Sequence, residues 1–196
     1  MRIFVAGATG VLGVRLVPLL FQCGHEVAGM TRSPDKADML RTLGAEPVVC
    51  DVFDRDALRD AVVSFAPDAV IHQLTDLPDD ARRLHEHRDA NNRIRREGTH
   101  NLLAAAQAAG TVRRFLAQSV AWQLPGAGGT ATEELERAVL SGGGVVLRYG
   151  RLYGPGTYYE REAPEPPRIH VDDAAPRTVS ALEDEAGPGV LVIAES

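Results

Sequence analysis

A chain of 196 residues, 44% hydrophobic and 24% charged, has the makeup of one globular domain, or of a nucleotide-binding domain with a small appendage. Its net charge of −6 excludes the basic footprint of a nucleic-acid binder, and its two cysteines, Cys23 and Cys50, exclude a disulfide framework and are too few for a zinc site. Met1 reaches the glycine turn at Gly7 too soon for a signal-peptide core, and nowhere do about 18 apolar residues run unbroken, so the expectation is a cytoplasmic protein with no membrane span.

The first apolar run, 3–6, predicts a strand, and an amphipathic stretch at 11–22 predicts the helix that follows it. Between them stands Gly7-Ala8-Thr9-Gly10-Val11-Leu12-Gly13. The first glycine permits a sharp exit from the strand, the second lets a pyrophosphate approach the backbone, and the third lets the helix pack closely on the sheet. The helix N-terminus then offers free N–H groups and partial positive charge to the phosphates. A glycine triplet alone is weak evidence; here it comes with its strand, its helix and a second βα unit in register.

The second predicted strand, 26–30, leads into Thr31-Arg32-Ser33, with Lys36 one turn later. A site for NAD usually places a carboxylate here to hold both ribose hydroxyls. A guanidinium suits the 2′-phosphate of NADP, so Arg32 and Ser33 favour NADP(H), with NAD(H) as the alternative and adenine stacking as the other role open to Arg32. A helix is predicted at 34–43, a strand at 47–50 and a helix at 55–65. Asp51-Val52 lies between the last two, where Asp51 either accepts a hydrogen bond from the adenine amino group or caps the helix beginning near Asp54.

Further strands are predicted at 69–72, 114–117, 145–148 and 191–194, and further helices at 79–109 and 132–140. The alternation implies βαβ units and a Rossmann fold, a doubly wound parallel sheet with helices on both faces. Residues 1–150 read as a dinucleotide-binding domain and 151–196 as a reduced substrate-side region with the final strand. Pro125-Gly126-Ala127-Gly128-Gly129 reads as a loop, the proline-rich stretch 158–167 cannot be helical throughout, and Gly187-Pro188-Gly189 turns the chain into its last strand. Both cysteines are expected as small buried hydrophobes. Arg93, Arg95 and Arg96 stand among Glu86, Asp89 and Glu97 and read as the solvated face of a helix, as do His85 and His87, whose spacing suits no metal site. Glu133 and Glu134 are expected to begin a helix, His72 to end a buried strand, and Trp122 either to stack on a ligand or to pack in the core.

With these residues in place, the chain resembles the extended short-chain dehydrogenase/reductase proteins of the NAD-dependent epimerase/dehydratase family. The resemblance rests on the glycine turn, Asp51-Val52, Val70-Ile71-His72, Glu97-Gly98-Thr99-His100-Asn101-Leu102-Leu103, the run 148–155 and Ile169-His170-Val171-Asp172-Asp173-Ala174-Ala175, in that order. It implies that Gln73, Leu74 and Thr75 line the cofactor, that Ser119 occupies the catalytic serine region, and that Tyr149 lies near the nicotinamide. It gives His170 and Asp172 a mainly structural role. Family members that carry out redox chemistry use a Tyr-x-x-x-Lys pair to move a proton. No such pair occurs here: the tyrosines are Tyr149, Tyr153, Tyr158 and Tyr159, and the only lysine is Lys36 against 20 arginines.

Three functions follow. The first is an atypical oxidoreductase or epimerase/dehydratase-like enzyme on a small hydroxy or carbonyl compound, with Ser119 and Tyr149 as its candidate catalytic residues. The second is a non-catalytic NADP(H) sensor or scaffold, and the third a non-redox biosynthetic enzyme on the same scaffold. A homodimer through the long helices is the expected assembly, with a small-molecule substrate and neither nucleic acid nor membrane as partner.

Overall fold

Apolar runs whose residues are buried on both faces belong in a parallel sheet covered by helices on each side, and the seven predicted strands take that place. The computed structural model describes residues 1–78, 80–184 and 187–195; the expected helix start at Asp79 lies outside them. In chain order the elements are β1 (Arg2–Ala6), α1 (Gly13–Gln22), β2 (Glu26–Thr31), α2 (Ala37–Thr42), β3 (Ala45–Val49), α3 (Arg55–Phe65), β4 (Ala69–His72), α4 (Arg88–Arg93), α5 (Thr99–Ala109), β5 (Arg114–Val120), α6 (Gly126–Ser141), β6 (Val145–Tyr149), β7 (Arg151–Tyr153), β8 (Arg168–His170), α7 (Val171–Glu183) and β9 (Gly189–Ile193).

The main sheet has the order β3-β2-β1-β4-β5-β6-β9, every pair parallel. The chain winds outward from β1 to β3, then returns to β4 on the other side of β1. The crevice between the carboxyl ends of β1 and β4 is therefore the switch point where such sheets bind ligands. Alternation along β1 sorts the core into two layers: Ile3 and Val5 pack with Leu16, Leu20, Val179 and Leu182 of α1 and α7. Phe4 and Ala6 pack with Leu58, Leu102 and Leu135 of α3, α5 and α6. Residues after 150 contribute α7 to the first layer and β9 to the sheet itself.

Four expectations need correction. The Pro125–Gly129 stretch is not a loop: α6 starts at Gly126 after Pro125, so Glu133 and Glu134 sit in its middle instead of at its start. The predicted helix 79–109 is broken, with a short 3-10 turn at Ala81–Arg83, then α4, a π-helical segment Ile94–Gly98 and α5. Cys23 is exposed, while Cys50 is buried, and burial with Asp54 and Asp51 nearby pushes its thiol up to about 11. α7 and the two-stranded parallel sheet β7-β8 have no counterpart in the predicted elements. Pro176 lies inside α7, where it removes one backbone donor from the helix, and its presence masks the helical pattern in the sequence.

Candidate functional site

The glycine turn is built by contacts that separate structural glycines from a ligand-facing one. Gly7 has φ +90°, and a Cβ there would lie 2.7 Å from the Gln73 carbonyl; a Cβ on Gly13 would lie 2.3 Å from Gly7 O. Both glycines are demanded by the protein's own backbone. Gly10 is not: it is exposed, and an added Cβ would meet only Gly7 O, at 3.4 Å. What its missing side chain preserves is open approach. Among the described residues the backbone N–H groups of Val11 and Leu12 have no acceptor, and the start of α1 has no side-chain cap. Unpaired donors around an open glycine at a switch point fit a pyrophosphate.

On the adenosine side the carboxyl end of β2 carries a hydroxyl cluster. Thr9 Oγ1 lies 3.3 Å from Thr31 Oγ1, which accepts from Ser33 N at 3.2 Å. The Arg32 side chain is 60% exposed and pairs with Asp76 at 3.0 Å. Asp76 follows β4 and is held in turn by Asn91 Oδ1, which accepts from its N–H at 3.1 Å. Asp54 is the N-cap of α3, accepting from Ala57 N, whereas Asp51 accepts from Phe53 N and stays exposed. Val52 is buried in the core beside Gly98, and its carbonyl accepts from Asn101 at 2.9 Å.

At the end of β4, His72 is fully buried. Its Nδ1 accepts from Leu74 N at 3.2 Å, so the proton resides on Nε2, which donates to Thr99 Oγ1 at 3.0 Å. The ring thereby fixes the path of the loop Gln73-Leu74-Thr75. Burial lowers its pKa to about 4. A depressed histidine is neutral in the fold and protonated sooner in the unfolded chain, so its contribution is complete above about pH 6.5 and is lost as pH falls toward 4, about 3 kcal/mol in all. Urea unfolding between pH 7 and 4 should show this decline, with the His72 imidazole resonances titrating near pH 4; titration above 6 would refute the assignment.

The carboxyl ends of β5 and β6 carry the site's principal polar cluster. Ser119 and Arg148 are register partners on adjacent strands, and both face α6. From α6, the buried Glu136 accepts from Ser119 Oγ at 2.5 Å with Oε1, and takes the Arg148 guanidinium in a fork, Nε to Oε1 at 2.9 Å and Nη2 to Oε2 at 2.5 Å. Burial opposes ionisation of Glu136, but the hydrogen bonds from Arg148 and Ser119 and the charge of Arg148 outweigh it and hold the carboxyl below the usual range. The cluster orients the Ser119 hydroxyl toward the carboxylate and leaves its oxygen lone pairs for another donor. Glu136 and Arg148 were not candidates from sequence; the legible signal is a charge at an inward-facing position of β6, beside Val146 and Leu147.

Tyr149 does not join this cluster. Its hydroxyl accepts from Gln73 Nε2 at 3.0 Å and lies 2.7 Å from Thr178 Oγ1, which itself donates to Ala174 O. The chain of donors ends in α7, and burial pushes the Tyr149 hydroxyl up to about 12. The structure thus makes Tyr149 and the Gln73 side chain a buried brace between β6, the end of β4 and α7. Leu74 packs partly into the core and Thr75 is exposed. Trp122, half-buried after β5, lies under Arg151 with the guanidinium 4.9 Å from the ring. His170 caps α7 by accepting from Asp172 N and packs edge-on against Tyr153 at 5.0 Å, while Asp172 pairs with Arg15 at 2.5 Å, a structural use of that motif. Among the described residues, no group of three or more His, Cys, Asp or Glu is placed to hold a metal, and no helix is long and apolar enough to cross a membrane.

Residues 3–142 match the model of the NAD dependent epimerase/dehydratase family. The chain is 38% identical to a 3-diazoavenalumate denitrifying reductase of a Streptomyces species over 231 aligned positions, covering 95% of this chain and 73% of the relative. That alignment exceeds the 196 residues of the chain, so the relative carries internal segments that this chain lacks. A 3-beta-hydroxysteroid dehydrogenase of Mycolicibacterium neoaurum is 34% identical over 121 residues, 59% of this chain and 31% of the relative. Among solved structures, a UDP-glucose 4-epimerase of Thermotoga maritima with UDP-glucose superposes with a TM-score of 0.80 at 18% identity, covering 99% of this chain and 77% of that one. The Thermus thermophilus UDP-glucose 4-epimerase in complex with NAD gives 0.80 at 19% identity, covering 99% and 78%. At those identities the structures share the fold.

Proposed function

The chain belongs to the NAD-dependent epimerase/dehydratase family, and from that premise we propose that it is an NADP(H)-dependent oxidoreductase acting on a small hydroxy or carbonyl compound. The observation that carries the reading is the placement of the Ser119 hydroxyl, locked by Glu136 and Arg148, at the same sheet edge as the open phosphate turn. Gly10, Val11 and Leu12 would hold the pyrophosphate, and Thr9, Thr31, Arg32 and Ser33 the adenosine ribose. Bound, the cofactor supplies or accepts hydride. Ser119, its proton directed at Glu136, would position a hydroxy substrate by accepting a hydrogen bond from its O–H, and a carbonyl substrate by turning that proton to the carbonyl oxygen. The reductase and dehydrogenase names of the relatives support this class of chemistry.

The finer preference for NADP(H) rests on Arg32. Its pairing with Asp76 occupies Nη2 and leaves the rest of the fork exposed for a 2′-phosphate. Calorimetric titration of the cofactor-free protein tests it. Arg32→Ala should weaken NADPH by about 10- to 100-fold, the worth of a charged hydrogen bond, and leave NADH within about 3-fold. Equal losses for both would show that Arg32 does not set the preference, and tighter NADH binding by the unaltered protein would make this an NAD(H) protein.

One observation favours a sensor or scaffold instead: the sole lysine, Lys36, follows β2 on the adenosine side, so no amine stands beside Ser119. That reading predicts NADPH binding without NADPH oxidation across a broad carbonyl panel.

A further inference from the structure

The segment Arg93-Ile94-Arg95-Arg96-Glu97 holds three arginines with three different fates. Arg93 is exposed and forks onto Glu97 at 2.7 Å, over the face of Phe53. Arg96 pairs with Glu134 of α6. Arg95 is turned inward and half-buried, and among the described residues it makes no ion pair; its one polar contact is Nη1 to Asn92 Oδ1 at 3.5 Å. Arg93 thus lies on the expected solvated face, and Arg95 does not. Burial lowers the Arg95 pKa, since no carboxylate offsets the lost solvation.

A half-buried, uncompensated guanidinium is a cost to the fold, and its surroundings say where the missing anion belongs. Asn92, buried beside Arg95, has its Oδ1 at 4.0 Å from where a Gly128 Cβ would stand, so the pair lies against the first turn of α6, just after the β5 end that carries Ser119. On the same helical stretch, Asn91 holds the loop after β4 through Asp76, and Thr99 holds the end of β4 through His72. The helical stretch that carries Arg95 therefore packs against the β4 and β5 carboxyl ends. The backbone that carries it is the π-helical segment Ile94–Gly98, a rare geometry that recurs at functional sites.

We propose that Arg95, with Asn92 beside it, is a binding site for a carboxylate group of the substrate. The inference rests on the oxidoreductase reading for the identity of its ligand as substrate, and on the unpaired guanidinium for its chemistry. A single guanidinium without an acid matches the single charge of a carboxylate, held by two parallel N–H···O bonds. Two other cations near the site are already committed, Arg148 to Glu136 and Arg151 to the Trp122 ring and the carbonyls of Glu165 and Pro166.

The test is calorimetric titration of the NADP⁺-saturated protein with acetate, benzoate and cinnamate, each against its neutral amide, for the unaltered chain, Arg95→Gln and Arg95→Lys. The expected result is that at least one carboxylate binds more tightly than its amide, that Arg95→Gln removes this preference with a loss of 10-fold or more, and that Arg95→Lys keeps part of it. Arg95→Gln should also melt at the same temperature as the unaltered protein or higher, because it removes an uncompensated charge. Carboxylate binding unchanged in Arg95→Gln, or absent from the unaltered protein, overturns the proposal. Should Arg95→Gln fail to fold, Arg95→Lys decides: a folded Lys variant that has lost all preference for carboxylate over amide overturns it too. Because turnover is not the readout, carboxylate binding through Arg95 without NADPH oxidation would count against the oxidoreductase reading and leave the anchor standing.

Discussion

Gly10→Val should leave the fold intact and weaken NADPH binding by 100-fold or more. The Gly10 position has no left-handed φ and no close neighbour beyond Gly7 O at 3.4 Å, so a side chain there meets solvent instead of protein. Surface substitutions of that kind usually change stability by no more than about 0.5 kcal/mol. The same side chain stands where the pyrophosphate must approach the Val11 and Leu12 N–H groups, and losing charged hydrogen bonds worth about 1.5–3 kcal/mol each accounts for the expected loss. Gly7→Ala is the contrasting variant. At φ +90° with a Cβ 2.7 Å from the Gln73 carbonyl, it should destabilise the whole protein by about 2 kcal/mol or more through strain and overpacking. Calorimetry and urea unfolding on both proteins separate the two effects. Gly10→Val protein that binds NADPH normally would show that the turn does not receive a phosphate.

That contrast also shows what a sequence exposes and what it conceals. The phosphate turn was legible because all its determinants lie within residues 3 to 22, where an apolar run buried on both faces gives way to a helical stripe across three glycines. Alternation and handedness implied the doubly wound parallel sheet that the strands form. Other features required knowledge of distant partners. Gly129 reads as a loop former, yet it lies in α6, where a Cβ would strike Leu124 O at 2.3 Å, so the glycine serves a close approach invisible to composition. The three residues of β7 and the three of β8 are too few for periodicity to mark them, and pair only because the chain returns at Arg168. Arg95 looked like its neighbours because helical spacing was assumed unbroken through Ile94–Gly98, whereas the π-helical geometry alters which residues share a face. Tyr149 drew attention as a tyrosine beside a motif, but the parity of β6 turns it away from Glu136 and toward Thr178.

Parity also places Arg148 and Ser119 on the α6 side, and Glu136 is the group on which both depend. Glu136→Gln keeps an acceptor for Ser119 and nearly the same volume, but loses the charge that holds the Arg148 fork. The side chain of Arg148 is 42% exposed and can turn to water, so the expected stability loss at pH 7 is about 2 kcal/mol, short of the full cost of breaking a buried pair. The pH dependence identifies the cause. A carboxyl held below the usual range stabilises the fold above its unfolded pKa, and that contribution is lost as pH falls through its folded value. The gap between Glu136→Gln and the unaltered protein should therefore close on acidification below the ordinary carboxylate range, as the unaltered Glu136 takes up the proton that the amide mimics. A gap independent of pH would assign the loss to packing. In NADPH oxidation, Ser119→Ala and Glu136→Gln should each lower kcat by about 100-fold with little change in KM, and the double variant should be no slower than the worse single one, because Glu136 acts through the serine it orients. Additive losses would mean that Glu136 works independently of Ser119, and would make it a proton-transfer group in its own right.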